Sequence, residues 1–318
     1  MSNHHSLTFT ALPEHIDVLG HVNNAVWVRW VQDMATAHWA AQATRPALVA
    51  FALGSRDQRA DHRRRIGRVA DLEHAGDAID LKAARLPPAD ALVLEAAHRA
   101  RARCLLDWID PSVTDEFNPD VRNPQFDLYS PQLPVRPPYP ADWLAAYRAA
   151  QLARVRRITA RVRQTLDDLK RRGTAELERG FVTHRTLADP RFLDGSIDPN
   201  DRVIGHCYMG VPETVNTGPV GLARFSTLRS WLSQWSIDDS RADGETCARA
   251  ITTPLLAIEH SADDAVPQPD IGLMHAACAS ADKAMHVVPG ANHYFKGQNA
   301  QLQQSVGLIT SWAQARSW

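Results

Sequence analysis

The sequence has few cysteines, no long apolar run and no N-terminal pattern typical of a secretory signal. Its four cysteines, Cys104, Cys207, Cys247 and Cys278, show neither C-x-x-C spacing nor a metal-ligand pattern. This scatter argues against a disulfide framework and against a zinc site. No apolar run approaches the ~18 residues of a membrane span, and the N-terminus lacks the basic and apolar regions of a secretory signal. We therefore expect reduced thiols, a cytoplasmic location and no membrane partner.

The chain also lacks a dominant charge. It has 35 Lys and Arg against 36 Asp and Glu, with a formal net charge of −1. No global field therefore recruits nucleic acid or an acidic membrane surface. At 318 residues and 44% hydrophobic content, the chain is long and apolar enough for one large domain with insertions or for two small ones. No metal or organic cofactor is implied, and the oligomeric state stays open.

Strands and helices alternate in the last part of the chain. The apolar run at residues 91–97 predicts a strand buried on both faces of a parallel sheet. Further along, the pattern predicts a strand at 254–259, a helix that includes 274–280, a strand at 285–288 and a closing helix at 302–315. This alternation is typical of βαβ units with a parallel sheet.

A long helix is predicted at residues 141–172, where Gly173 ends it. Its apolar side chains recur every three to five residues and form one stripe. The other face carries the basic residues Arg148, Arg154, Arg156, Arg157, Arg161, Arg163, Lys170, Arg171 and Arg172. We interpret them as a solvated basic face in preference to a nucleic-acid surface, because few aromatic side chains lie among them.

Two loops follow the last two predicted strands and contain residues suited to catalysis. One carries a D-x-x-V-P sequence that begins at Asp263, and the other carries a G-x-x-H sequence that ends at His293. This pair resembles the acid and histidine loops of the α/β-hydrolase family. The resemblance covers residues 87–318 and implies that Asp263 orients His293, which acts as the base of a catalytic triad. In the alternative interpretation, Asp263 caps the next helix and His293 is a polar surface residue.

The nucleophile of such a triad has no clear position, because the family motif G-x-S-x-G occurs nowhere in the sequence. Ser55 follows a plausible strand at residues 47–53 and precedes the acid and the base, as the family order requires. Cys207 lies in a segment that resembles the cysteine elbow of dienelactone-type hydrolases. Pro212 and Gly218 interrupt the helix that an elbow requires after Cys207, so Ser55 is the preferred nucleophile and Cys207 the weaker alternative.

Residues 15–30, with the sequence D-x-x-G-H-V-N-N from Asp17 to Asn24, resemble hotdog-fold acyl-CoA thioesterases. In that family the matching aspartate activates water or attacks the thioester. The resemblance ends near Thr44, and about 45 residues bury too little surface to be stable alone. We therefore interpret Asp17 as a structural remnant in preference to a working catalytic residue.

Together these patterns predict an α/β protein with a mostly parallel sheet of α/β-hydrolase type. We expect residues 1–46 to form an atypical N-terminal fragment that resembles the hotdog fold. We expect residues 47–318 to form a domain that resembles the α/β-hydrolases, with a large helical cap insertion at about 107–250. The predicted activity is hydrolysis of a small-molecule carboxylic ester or related acyl bond by Ser55, His293 and Asp263. The alternatives are an acyl-CoA thioesterase that uses Asp17 and an inactive hydrolase-like scaffold.

Overall fold

A computed structural model of the chain describes residues 49–52, 89–173, 175–219, 221, 223–266 and 269–317. Ser55, Asp17 and the predicted hotdog-like segment lie outside these residues. The chain divides into one unit of Val49–Thr310 and another of Met1–Leu48 with Ser311–Trp318. In the latter unit, the Arg316 guanidinium lies over the Trp312 ring at 4.1 Å from its centroid.

The described residues contain six strands and seven α-helices. The strands are β1 (Val49–Ala52), β2 (Ala91–Glu95), β3 (Gly180–Val182), β4 (Phe225–Thr227), β5 (Leu255–His260) and β6 (Lys283–Val288). The helices are α1 (Arg101–Trp108), α2 (Ala141–Arg172), α3 (Pro212–Thr217), α4 (Leu228–Gln234), α5 (Gly244–Ala248), α6 (Asp270–Ala277) and α7 (Asn299–Gln314).

A four-stranded parallel sheet has the order β1-β2-β5-β6. The side chains of β2 and β5 are almost entirely buried, as expected for strands covered on both faces of a parallel sheet. α6 connects β5 to β6 and packs on both of them. The predicted α/β class with parallel strands is therefore confirmed. The strands predicted at 91–97, 254–259 and 285–288 are present.

The segment between β2 and β5 contains α1 to α5 and the antiparallel pair β3 and β4. Its core is apolar and aromatic: Trp231 and Trp235 stack with centroids 4.9 Å apart and are fully buried. The helix predicted at 141–172 is confirmed as α2, and Gly173 ends it in the left-handed region at φ 63°, where glycine has no steric penalty. Among the described residues, no helix combines the length and apolar character that a membrane span needs.

The interpretation of the basic side chains of α2 as a solvated face is wrong for Arg154, whose exposed fraction is 1%. Its guanidinium donates to both carboxylate oxygens of Glu116 at 2.9 and 2.7 Å. It also donates to the carbonyl oxygens of Asp110 and His184 at 2.7 and 2.9 Å. The planar, five-donor guanidinium suits this enclosed position, because its hydrogens are shared among several acceptors. The sequence alone shows none of these partners.

We expect Arg154→Met to destabilise the protein by about 3–5 kcal/mol, because it leaves the enclosed Glu116 carboxylate without its main partner. Arg156→Met is the matched control, since Arg156 lies on the same helix and pairs with Asp238 at the surface. That control should unfold close to the parent. Urea denaturation of the three proteins measures the difference in the free energy of unfolding. Equal decreases in both variants would show that the buried pair contributes no more to stability than the surface pair.

Candidate functional site

The four parallel strands bring their carboxyl ends to one edge of the sheet. β5 ends at His260 and β6 ends at Val288, and these two residues are partners in the register. Ligands of open α/β sheets bind at the carboxyl edge, where the loops converge. The acid loop, residues 261–266, and the histidine loop, residues 289–298, therefore begin side by side.

Backbone hydrogen bonds join the two loops from their first residues. The Ser261 N–H donates to the Val288 carbonyl at 3.2 Å, and the Ala262 N–H donates to the Ala291 carbonyl at 3.0 Å. The Gly290 N–H donates to the Ser261 hydroxyl oxygen at 2.8 Å. These bonds continue the pairing of β5 and β6 beyond the strands and restrict how far the loops separate.

Asp263 and His293 meet where the loops converge. Nδ1 of His293 lies 3.0 Å from Oδ2 of Asp263. The other carboxylate oxygen, Oδ1, accepts the N–H groups of Ala265 and Val266 at 2.8 and 2.6 Å. Because Asp263 is 2% exposed and both of its oxygens are engaged, its orientation toward the imidazole is well defined. The structure thus brings together two of the three residues predicted for the site.

The ionisation of His293 depends on two opposing effects. Burial opposes the charged imidazolium, but the hydrogen bond and negative charge of Asp263 outweigh it and raise the pKa of His293 above its ordinary value. Asp264 contributes more weakly in the same direction, and its Oδ1 accepts the His293 N–H at 3.2 Å. Asp263 therefore binds the imidazole of His293, whereas Asp264 binds its backbone.

Aromatic side chains surround the imidazole. Tyr208 and Tyr294 approach it edge-on, with ring centroids 6.3 and 4.5 Å from that of His293. The Tyr208 N–H donates to the Asp264 carbonyl at 3.1 Å, which anchors this tyrosine to the acid loop. Its ring stacks on Trp108 at 5.7 Å. Among the described residues, the buried Tyr208 hydroxyl and the buried Trp108 indole nitrogen have no hydrogen-bond partner.

His98 is a further titratable residue at this edge, three residues beyond the end of β2. Its buried Nδ1 has no hydrogen-bond partner in the described part of the chain. Burial, followed by the positive charge of Arg101, lowers the pKa of His98 to about 4, and the charges of His293 and Asp263 also act on it. His98 is therefore neutral at physiological pH. Sequence reasoning missed it, although its position just beyond a predicted strand of the same sheet was a usable signal.

The predicted nucleophiles are not placed beside His293 by the described residues. Ser55 lies outside them, and so does Asp17. Cys207 is described and 3% exposed; it lies in a tight turn that pairs it with Gly210, not at the end of a strand. Burial raises the pKa of its thiol, which disfavours the thiolate that nucleophilic attack requires. The geometry therefore does not favour the cysteine-elbow alternative.

No protein-family model matches the chain, and no curated protein matches it. Within the described ranges, no group of three or more His, Cys, Asp or Glu side chains is arranged to hold a metal ion.

His98 should make stability depend on pH in a defined window. Its folded-state pKa of about 4 lies below the ordinary 6.5, so the unfolded chain takes up the proton first as the pH falls. The contribution of neutral His98 is complete above about pH 6.5 and is lost toward pH 4, by up to about 3 kcal/mol. We expect His98→Asn to lose less stability than the parent between about pH 7.5 and pH 4.5.

Urea denaturation at the two pH values measures this difference. The matched control is His286→Asn, which changes an exposed histidine on β6 and should keep the pH dependence of the parent. If the free energy of unfolding depends on pH identically in the parent and in His98→Asn, His98 is not held neutral.

Proposed function

We propose that the protein hydrolyses a carboxylic ester or a related acyl bond, with His293 as general base and Asp263 as its orienting acid. The observation that carries this proposal is the 3.0 Å contact between Nδ1 of His293 and the enclosed carboxylate of Asp263 at the carboxyl edge of the sheet. A carboxylate only accepts hydrogen bonds, so Nδ1 carries the hydrogen. The lone pair of the neutral ring is then on Nε2, which is the arrangement that a general base requires.

In this mechanism, Nε2 takes the proton from a hydroxyl as its oxygen attacks the acyl carbon. The carbonyl bond opens to an oxyanion, which re-forms the carbonyl as the alcohol leaves with the proton from Nε2. Water then repeats the sequence and releases the acid. Asp263 holds the ring in one tautomer and stabilises the imidazolium that forms transiently. Among the described residues, no hydrogen bond to Nε2 competes with this proton transfer.

Ser55 is the proposed nucleophile. It follows the last residue of β1, Ala52, by three positions in the sequence, and the carboxyl end of β1 lies at the same edge of the parallel sheet as those of β5 and β6. Its position before the acid and the base also agrees with the order in α/β-hydrolases.

The topology supports a more specific proposal, that residues 47–318 form an α/β-hydrolase-like domain. Parallel strands occur in the order β1-β2-β5-β6, a long insertion separates β2 from β5, and the acid and histidine loops follow β5 and β6. In that interpretation, residues 107–250 form a cap over the catalytic edge. Tyr208 and Tyr294 then place uncharged aromatic rings beside His293, and Tyr294, which is 66% exposed, supplies an accessible ring. We therefore propose an uncharged small-molecule ester as substrate.

One observation favours a second candidate, an inactive hydrolase-like scaffold that binds a ligand at the same edge. In the described part of the chain, no serine, threonine or cysteine is hydrogen-bonded to His293, and the G-x-S-x-G motif is absent from the whole sequence. Acyl-CoA thioester hydrolysis through Asp17 is the remaining alternative.

Hydrolysis of a p-nitrophenyl ester by the purified protein separates these functions. We expect turnover that falls by about 10²–10⁴-fold in His293→Ala and in Asp263→Asn, because each removes the functioning base. Ser55→Ala should abolish the reaction, whereas Cys207→Ser should retain it. Asp264→Asn is the matched control, because its amide oxygen still accepts the His293 N–H.

Absence of ester turnover in a folded parent would favour the inactive scaffold. Turnover of acyl-CoA that is lost in Asp17→Ala, but not in His293→Ala, would instead support the thioesterase alternative.

The pH dependence of kcat/KM should report the ionisation of His293. The base is active when neutral, so kcat/KM rises as the pH passes upward through the raised pKa of His293. In Asp263→Asn, burial remains but the carboxylate is lost, so we expect the residual activity to rise at lower pH. An unchanged midpoint in this variant would show that another group controls the profile.

A further inference from the structure

His260 connects the backbone of the acid loop to that of the histidine loop. It is the last residue of β5 and is 1% exposed. Its carbonyl oxygen accepts the N–H of Asp263 at 3.2 Å, and its Nδ1 lies 2.9 Å from the carbonyl oxygen of Asn292. One buried side chain thus contacts the backbone immediately before His293, while its own backbone binds that of Asp263.

The contact with Asn292 restricts His293 directly. The Asn292 carbonyl and the His293 N–H belong to the same planar peptide unit. His260 binds the oxygen of this unit, and Oδ1 of Asp264 accepts its N–H at 3.2 Å. Because both ends are bound, rotation of the peptide would break at least one hydrogen bond. The Cα position from which the His293 imidazole extends toward Asp263 is therefore held in place.

The His260 ring is itself fixed on its remaining sides. A carbonyl oxygen only accepts, so Nδ1 is the donor in the contact with Asn292. Nε2 faces Oε1 of Glu95 at 3.4 Å, and the same carboxylate oxygen accepts the Ser305 hydroxyl. Burial favours the protonated form of Glu95, but the hydrogen bonds with His260 and Ser305 outweigh it and lower the Glu95 pKa. The Phe295 ring packs on the imidazole at 4.3 Å.

We propose that His260 is a positioning residue: it fixes the Asn292–His293 peptide so that the His293 imidazole stays hydrogen-bonded to Asp263. The inference rests on the proposed function for its catalytic meaning. His260 does not act as a base itself, because it is buried and its two ring nitrogens face Asn292 and Glu95. His260 affects the reaction only through the position of His293. This position influences the His293 pKa, which can be measured in the absence of any substrate.

Two amide substitutions separate the two sides of the His260 ring. An asparagine amide nitrogen occupies roughly the place of Nδ1, and a glutamine amide nitrogen roughly that of Nε2. We expect His260→Asn to keep the bond to the Asn292 carbonyl and His260→Gln to lose it. His260→Leu lacks both nitrogens and keeps an apolar contact with Phe295. It should shift the His293 pKa as His260→Gln does, and it replaces His260→Gln in the experiment if that variant folds poorly.

The measurement is an NMR titration of the His293 ring protons in the full chain. The charged or titratable groups that act on His293 are Asp263 and Asp264, with His98, Tyr208 and Tyr294 nearby, and none is changed by substitution of His260. We expect His260→Gln and His260→Leu to lower the His293 pKa by about one unit. His260→Asn should stay near the parent, and His286→Gln is the control for an exposed histidine.

Asp263→Asn calibrates the titration, because it removes the carboxylate itself. If it lowers the His293 pKa while His260→Gln and His260→Leu do not, the positioning role is overturned and the dyad stands. If Asp263→Asn leaves the His293 pKa unchanged, the dyad fails and the proposed function fails with it. A His260→Asn variant that behaves like His260→Gln would also overturn the inference, since the Nδ1 contact would then not be the cause.

Discussion

The parallel pairing of β5 with β6 is the constraint on which the candidate site depends. Because His260 is paired with Val288, the acid loop and the histidine loop leave the sheet as neighbours and are bonded to each other from their first residues. A register shift of two residues would move one loop by about 7 Å along the other. That displacement exceeds the reach of a hydrogen bond, so the contact between Asp263 and His293 exists in this register alone.

Burial and partners together decide the charge of each enclosed ionisable group. His98 and His293 lie at the same edge, yet their pKa values move in opposite directions. Burial acts against the charged form of both, but Asp263 compensates for it at His293 and no hydrogen-bond partner in the described residues does so at Nδ1 of His98. Asp189 follows the same rule: burial favours its neutral form, but Arg148 and Arg191 lower its pKa to about 2.

The parts predicted well from the sequence depend on local periodicity. The apolar strands β2 and β5 and the apolar stripe of α2 are visible as patterns of adjacent residues, and Gly173 marks the end of α2 because only local backbone conformation matters there. The arginines of α2 could not be predicted in the same way. Whether Arg154 lies in solvent or among acceptors depends on Glu116, which is 38 residues away in the chain.

The sequence by itself determined the α/β class and the two loops that contain Asp263 and His293. The alternation of strands and helices along the chain and the loop motifs are encoded in contiguous residues. Only the tertiary structure decided that Asp263 binds the imidazole while Asp264 binds the backbone, that His98 is kept neutral and that His260 contacts Asn292. These contacts join residues far apart in the chain, so their distances, burial and charges exist only after the strands have paired.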